Sequence, residues 1–204
     1  MLFMIVWTMQ PLYVWEILQR DGILYGPAEA PELVRDFTQW RTAYHWLIEQ
    51  MEQRIGPRPN PEAYPLWAWY QYYGPKQCRP DLRNRHLDSG MKGIRIEFEI
   101  AEDQILLSDL DMWHSPLNAW YLGLSEEEDE AFYAEVEGQG IQYVECMSHP
   151  VYRARIVQSW ERIFDINNVH ESEYWGNPQT QRIQGTFWQL SLDQVRKITP
   201  FTSR

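Results

Sequence analysis

Residues 65–85 carry the residue types best suited to bind a ligand. Five aromatic side chains run directly into four of the eighteen basic residues of an acidic chain. Aromatic rings stack on planar bases, and Arg and Lys bind phosphate or carboxylate groups. The pattern therefore predicts a site for a planar, anionic ligand, although the same aromatics would equally suit a core with the cations on its solvated rim. The residues assigned to this site are Trp67, Trp69, Tyr70, Tyr73, Lys76, Arg79 and Arg83.

A second cluster has the spacing of a possible metal site. Asp109, Asp111 and His114 form a D-x-D-x-x-H pattern, and carboxylate and imidazole groups bind divalent cations. Such a site would indicate a metal-assisted hydrolase. The same residues also suit the cap and turn before a helix, and no fourth ligand is identifiable nearby. We therefore expect no metal and keep the hydrolase as an alternative.

The net charge and the missing motifs exclude several classes of protein. A formal net charge of −11 argues against a general nucleic-acid coat, because such proteins neutralise phosphates with a basic face. The sequence has no Walker loop, GxGxxG, HExxH, GxSxG or paired CxxC motif. A bound nucleotide would therefore be held by side chains and strand edges, since no glycine-rich loop is present.

The cysteines and the N-terminus bear on the compartment. Cys78 and Cys146 lie far apart without the spacing of a redox pair or a zinc site, which is typical of a reducing cytosol. The apolar residues 1–7 lack the basic region of a signal peptide, and no apolar run is long enough to span a bilayer. We expect a cytoplasmic protein of bacterial type without a membrane partner, and leave its oligomeric state open.

The pattern of the elements predicts an α+β fold in one domain, residues 1–204. The opening reads as a strand over 2–8, a helix over 11–20 ended by Gly22, and a short strand over 23–25. Residues 94–100 alternate between apolar and charged side chains, as in a half-buried strand. Short connections favour a mixed, mainly antiparallel sheet, either single or split, with flanking helices.

Further elements follow from local signals. Helical spacing predicts a helix over 31–54, and Ser125 with Glu128 forms a capping box at the start of another helix. Residues 104–108 read as a strand that pairs with the strand before it, and Ser115-Pro116 reads as the opening of a helix.

The order of the elements around the first and last strands resembles that of a known fold. Trp7-Thr8 ends the first strand before a helix and a glycine, and Gln184 stands in a late strand. This order resembles the ADP-ribosyltransferase-like fold, which implies a split sheet that holds NAD or a related nucleotide in its cleft. The resemblance implies a ribose-side hydroxyl at Thr8, a stacking ring at Tyr70 or Tyr73, a phosphate grip at Arg79 or Arg83 and a late-strand polar residue at Gln184.

Thr8, Gln184 and Arg83 are thus the predicted catalytic residues, and an unidentified acceptor would be the second substrate. The sequence departs from the family pattern at two positions. Its first strand has no His beside Thr8, and Gln184 stands where Glu is common. Either departure would alter the reaction or remove it.

Over nearly its full length the chain also resembles an uncharacterised bacterial family, domain-of-unknown-function family 3841. The matching stretches are WTMQP (7–11), WAWY with RPDLR (67–83), LLSDLDMWH (106–114), SWERIFD (159–165) and QGTFWQL (184–190). This resemblance implies no activity. Besides the transferase and the hydrolase, a non-catalytic ligand- or protein-binding module of a phage- or toxin-related system therefore stays open, with the aromatic segment as an exposed contact patch.

Overall fold

A computed structural model of the chain describes residues 2–26, 38–167 and 173–204. Its elements are β1 (Phe3–Pro11), α1 (Leu12–Asp21), β2 (Ile23–Tyr25), α2 (Thr38–Arg54), β3 (Leu66–Gln71), β4 (Lys92–Ala101), β5 (Leu106–Asp109), α3 (Leu110–Asn118), α4 (Glu126–Gly138), α5 (Pro150–Ser159), β6 (Ile183–Phe187), β7 (Gln189–Ser191) and β8 (Val195–Thr202), with short 3-10 helices between several of them.

The centre of the fold is a six-stranded sheet with the strand order β5-β6-β3-β1-β4-β8. The pairings that the structure describes are all antiparallel, and β2 forms a separate two-stranded sheet with β7. The longest register joins β1 to β4, from Phe3 opposite Ala101 to Pro11 opposite Gly93. The prediction of an α+β fold with a mainly antiparallel sheet is confirmed.

One face of the sheet is covered by α1 and the small sheet. The alternate residues Ile94, Ile96, Phe98 and Ile100 of β4 are buried there, as their spacing predicts. They form one apolar cluster with side chains such as Leu18 of α1. Burial of this continuous apolar surface is the main force that holds α1 to the sheet.

The end of α1 follows the predicted glycine stop. Gly22 has a φ of 76°, a left-handed conformation that suits glycine because it lacks a Cβ atom, and its N–H donates to the Leu18 carbonyl oxygen at 2.9 Å. This tight turn leads directly into β2.

The opposite face is covered in part by the larger helices. Trp46, Leu47 and Met51 of α2 pack with Trp160 and Ile163 in a second apolar cluster. Leu106 of β5 belongs to the same cluster, and Trp67 of β3 packs against it. The helices therefore cover the part of this face that holds Leu106 and Trp67.

Two local predictions are wrong. Residues 104–108 do not continue a hairpin with β4, since β5 pairs with β6 while β1 and β8 occupy the two edges of β4. The third helix does not open at Ser115-Pro116. It begins at Leu110, and Asp109 caps it, because that carboxylate accepts the free N–H groups of the first turn.

Two further predictions agree with the structure in part. The capping box at Ser125 is confirmed on its hydroxyl side, since the Ser125 Oγ atom accepts from the Glu128 N–H at 3.2 Å. The predicted helix over 31–54 ends at Arg54, and its residues 31–37 lie outside the described residues. Over the described ranges, no helix is both long and apolar enough to cross a membrane.

Candidate ligand-binding site

Strand register places five side chains side by side across the sheet. Trp7 of β1 lies between Trp69 of β3 and Glu97 of β4. On the far side of Trp69 lies Gln184 of β6, which in turn lies opposite Ser108 of β5. Directly paired residues of antiparallel strands point to the same face of a sheet. We call these five residues the tryptophan row. It runs over β5, β6, β3, β1 and β4 on the face opposite α1.

The tryptophan row combines flat rings with polar groups. The Trp7 Nε1–H donates to the Glu97 Oε2 atom at 2.8 Å, and the Trp69 ring meets the Tyr72 ring edge-on, with centroids 4.8 Å apart. Trp7, Trp69, Glu97 and Gln184 are all half-buried. Neither the Gln184 amide nor the Glu97 Oε1 atom forms a hydrogen bond with the described residues. The row thus offers rings for stacking and free polar atoms for recognition.

The predicted aromatic residues divide between four environments. Trp69 belongs to the tryptophan row, whereas Trp67 packs into the core against Trp113, with ring centroids 5.5 Å apart. Tyr70 lies where the register between β3 and β6 shifts, and it packs against the apolar cluster under α1. Tyr73 is 54% exposed. The structure therefore brings one of these four predicted rings to the row.

The predicted cations lie in the loop over 72–91, which connects β3 to β4. Lys76, Arg79 and Arg83 are all exposed there. The Arg83 side chain is 79% exposed and pairs with Asp81, with Nη2 and Oδ2 2.5 Å apart. Hydrogen bonds from Arg83 lower the pKa of Asp81 to about 2. The charge of Arg83 is thus already compensated within its own loop.

Thr8 does not lie on the tryptophan row. It follows Trp7 directly in β1, so its side chain points to the opposite face of the sheet. Its hydroxyl is buried there and accepts from the Gln10 Nε2–H at 2.8 Å. The structure thus brings Trp7 together with Gln184, and it does not bring Thr8 to the same face as Gln184.

The D-x-D-x-x-H cluster has structural contacts. Asp109 accepts through Oδ1 from the N–H groups of Asp111 and Met112, at 2.8 and 3.1 Å, and through Oδ2 from the Gln181 Nε2–H at 2.9 Å. Asp111 pairs with Arg182, and this carboxylate raises the pKa of the guanidinium. His114 is exposed on α3. The described ranges contain no group of three His, Cys, Asp or Glu residues that would hold a metal ion.

These contacts have a consequence for the tryptophan row. Gln181 and Arg182 come directly before β6, and Asp109 and Asp111 tie them to the start of α3. The Gln71 Nε2–H donates to the Gln181 carbonyl oxygen at 2.7 Å, which adds a link to β3. The network therefore fixes the start of the strand that carries Gln184.

Trp7 of the row and two residues of β4 were not predicted to be functional. Glu97 belongs to the row, and Arg95 lies two residues earlier on the same face of β4. Arg95 is 8% exposed and donates through Nη1 to the Pro80 carbonyl oxygen at 2.8 Å. Burial lowers the pKa of its guanidinium, and the like charge of Arg79 lowers it further. The alternation of apolar and charged residues in β4 predicts that Arg95 and Glu97 share a face. Their hydrogen-bond partners, Pro80 and Trp7, lie in other segments of the chain and could not be predicted in this way.

Comparison with known proteins gives the family of the chain. A family model described as a domain of unknown function (DUF3841) matches residues 5–196. The chain therefore belongs to this family. The searches found no match among the curated proteins and none among the solved structures.

Proposed function

We propose that this family member binds NAD or a related nucleotide over the tryptophan row and acts as an ADP-ribosyltransferase-like enzyme. The observation that carries the proposal is the row itself, in which Trp7 and Trp69 are neighbours and Gln184 and Glu97 flank them. The strand-helix-glycine-strand opening also supports the proposal, although the two-stranded sheet packs on the face opposite the row.

The two indoles provide the apolar part of the site. Neither ring is fully buried, so each retains surface for a ligand. Stacking of a base on an aromatic side chain contributes about 1–3 kcal/mol to binding. An adenine ring is flat and stacks on an indole, and the positively charged nicotinamide ring of NAD is also attracted to the face of an indole.

The polar atoms of the row suit the ribose. The Gln184 amide and the Glu97 Oε1 atom, which form no hydrogen bond with the described residues, provide donors and an acceptor for ribose hydroxyls. Glu97 is also the carboxylate of the row, which gives it the charge that stabilises an oxocarbenium-like centre. In the transfer, the bond between ribose C1′ and nicotinamide breaks and nicotinamide leaves with its electron pair. The acceptor then bonds to C1′, and its proton passes to a base, the role we give to Glu97.

The test is a calorimetric titration of the protein with NAD. We expect binding to the wild type and a loss of about tenfold to a hundredfold in affinity for Trp69→Ala, since one stacking contact is removed. Thr8→Val is the matched control. It keeps the shape of a buried side chain on the other face of the same sheet, and we expect it to leave the affinity unchanged. Circular dichroism melting of each variant reports whether it is folded.

Two results would contradict the proposal: no binding of NAD to the wild type, or equal affinity for the wild type and a folded Trp69→Ala variant. Release of nicotinamide separates an enzyme from a binder. For an enzyme, Glu97→Gln should retain NAD binding and lose most of the release. If NAD binds to the wild type and no nicotinamide is released even with a cell lysate as the source of the acceptor, the protein is a ligand-binding module without catalysis.

A further inference from the structure

We infer that Arg95 and Arg79 form a subsite for a phosphate group beside the tryptophan row. The identity of the phosphate carrier, a nucleotide, rests on the function proposed above, whereas the subsite itself rests on the two guanidinium groups. Arg95 and Glu97 alternate on one face of β4, so their Cα atoms are about 7 Å apart. A ligand stacked on the row therefore reaches Arg95 without leaving this face of the sheet.

The first argument is the buried charge of Arg95. Its side chain is among the most buried of the charged residues, yet it forms no ion pair with any residue of the described ranges. Its hydrogen bonds go to neutral oxygens, the Pro80 carbonyl at 2.8 Å and the Thr199 Oγ1 atom at 3.5 Å. A guanidinium has five N–H donors, and most of them are therefore left for a ligand. Buried charges are costly unless an opposite charge accompanies them.

The second argument is the position of Arg79. It comes directly before Pro80, the residue whose carbonyl oxygen Arg95 binds, and its like charge lowers the pKa of Arg95. Arg79 likewise has no ion pair within the described part of the chain. Two guanidinium groups that repel each other, one of them buried, are stabilised together when an anion lies between them.

The other arginines of the same loop provide a contrast. Arg83 pairs with Asp81 at 2.5 Å, and Arg85 with Asp88 at 3.9 Å. Asp81 also attracts Arg95 electrostatically, as does Glu97, but neither carboxylate lies within ion-pair distance of it. Arg83 and Arg85 thus have ion-pair partners in the loop, whereas Arg79 and Arg95 have none among the described residues.

Holding the loop in place does not by itself explain a charged residue at this position. The Nη1–H of Arg95 links β4 to Pro80, and a neutral donor such as a glutamine amide would make the same bond without burying a charge. The charge is what a phosphate group requires. The subsite therefore predicts that the protein prefers phosphorylated nucleosides over nucleosides.

The experiment compares three probes by calorimetry: NAD, nicotinamide riboside and inorganic pyrophosphate. We expect Arg79→Gln to lower the affinity for NAD and for pyrophosphate by about tenfold, because the phosphate contact is lost. The affinity for nicotinamide riboside should stay unchanged, because the riboside has no phosphate. Arg95→Gln should have the same pattern with a larger effect. Arg83→Gln is the matched control in the same loop, and we expect it to change none of the three affinities.

The outcomes separate the two proposals. If NAD binds, depends on Trp69 and is unaffected by both Arg79→Gln and Arg95→Gln, the subsite is wrong and the nucleotide proposal stands. If pyrophosphate binds and loses affinity with Arg79→Gln while NAD does not bind, the subsite stands and the nucleotide proposal is wrong. If neither NAD nor pyrophosphate binds to the wild type, both proposals are wrong. Arg79 is exposed and makes no hydrogen bond to the described residues, so its replacement keeps the test valid even where Arg95→Gln does not fold.

Discussion

The two faces of the β1–β4 pair differ in what their side chains do. On one face Val6, Ile96 and Phe98 are completely buried under α1 and the small sheet. On the other face Trp7 and Glu97 bind each other, and Arg95 binds the loop over 72–91. The same two strands thus provide an apolar core on one side and a set of polar and aromatic groups on the other.

The difference separates stability from recognition. Each buried apolar side chain contributes about 1.5–3 kcal/mol through removal from water. A typical hydrogen bond contributes only about 0.5–1.5 kcal/mol, and a buried unpaired guanidinium opposes folding. The face that carries the tryptophan row therefore retains groups that stability alone does not favour, which is typical of a binding site.

The largest change in stability should come from a substitution on the apolar face. We expect Phe98→Ala to lower the free energy of unfolding by about 3–5 kcal/mol, because it leaves a cavity in the cluster under α1. Glu97→Gln, the neighbouring residue on the other face, should change it by less than about 1 kcal/mol. Urea unfolding of both variants measures the difference. Similar losses for the two would show that both faces serve as core.

A smaller effect should follow from the bond that joins Trp7 to Glu97. Trp7→Phe keeps most of the ring and removes the Nε1–H donor. We expect a coupling free energy of about 1 kcal/mol in a double-mutant cycle of Trp7→Phe with Glu97→Leu, which removes the acceptor. Trp188→Phe provides the control, because the Trp188 Nε1–H donates to the Gly56 carbonyl oxygen and should show no coupling to Glu97. Coupling near zero between Trp7 and Glu97 would mean that the row is not held together by this bond.

The smallest effect should come from a substitution in the loop over 72–91. Arg83→Gln should raise the pKa of Asp81 from about 2 towards its ordinary value, although the Arg83 backbone N–H still donates to that carboxylate. Since the folded-state pKa is lowered, the ionised Asp81 stabilises the fold above the ordinary pKa, and this contribution is lost as the pH falls through about 2. NMR titration of the Asp81 carboxyl carbon measures the shift. An unchanged pKa would show that Arg83 is free to bind a ligand.

Local patterns in the sequence predicted several elements correctly. The alternation over 94–100 gave the apolar face of β4, Gly22 gave the end of α1, and Ser125 gave the start of α4. The D-x-D-x-x-H cluster was given two interpretations, and the contacts of Asp109 correspond to the cap. These signals are reliable because each depends on residues within one or two turns of a helix or one strand.

The partners of the strands could not be predicted in the same way. β5 was expected beside β4 and lies beside β6, at the far edge of the sheet. Thr8 was expected to share a site with Gln184, and the alternation of β1 places Trp7 on that face instead. Which of two adjacent residues faces a site depends on which face the helices leave open, and that is a property of the packed molecule.

The sequence by itself determined the types of the elements, the apolar face of β4 and the richness in aromatic and basic residues around 65–85. Only the tertiary structure decided that Trp69 belongs to the row while Trp67 enters the core, and that Asp81 compensates the charge of Arg83. It also decided that Arg95 is buried without an ion pair to the described residues. The physical reason is the range of the interactions. Periodicity and capping act between near neighbours, whereas strand register and the burial of charge join segments that are distant in the chain.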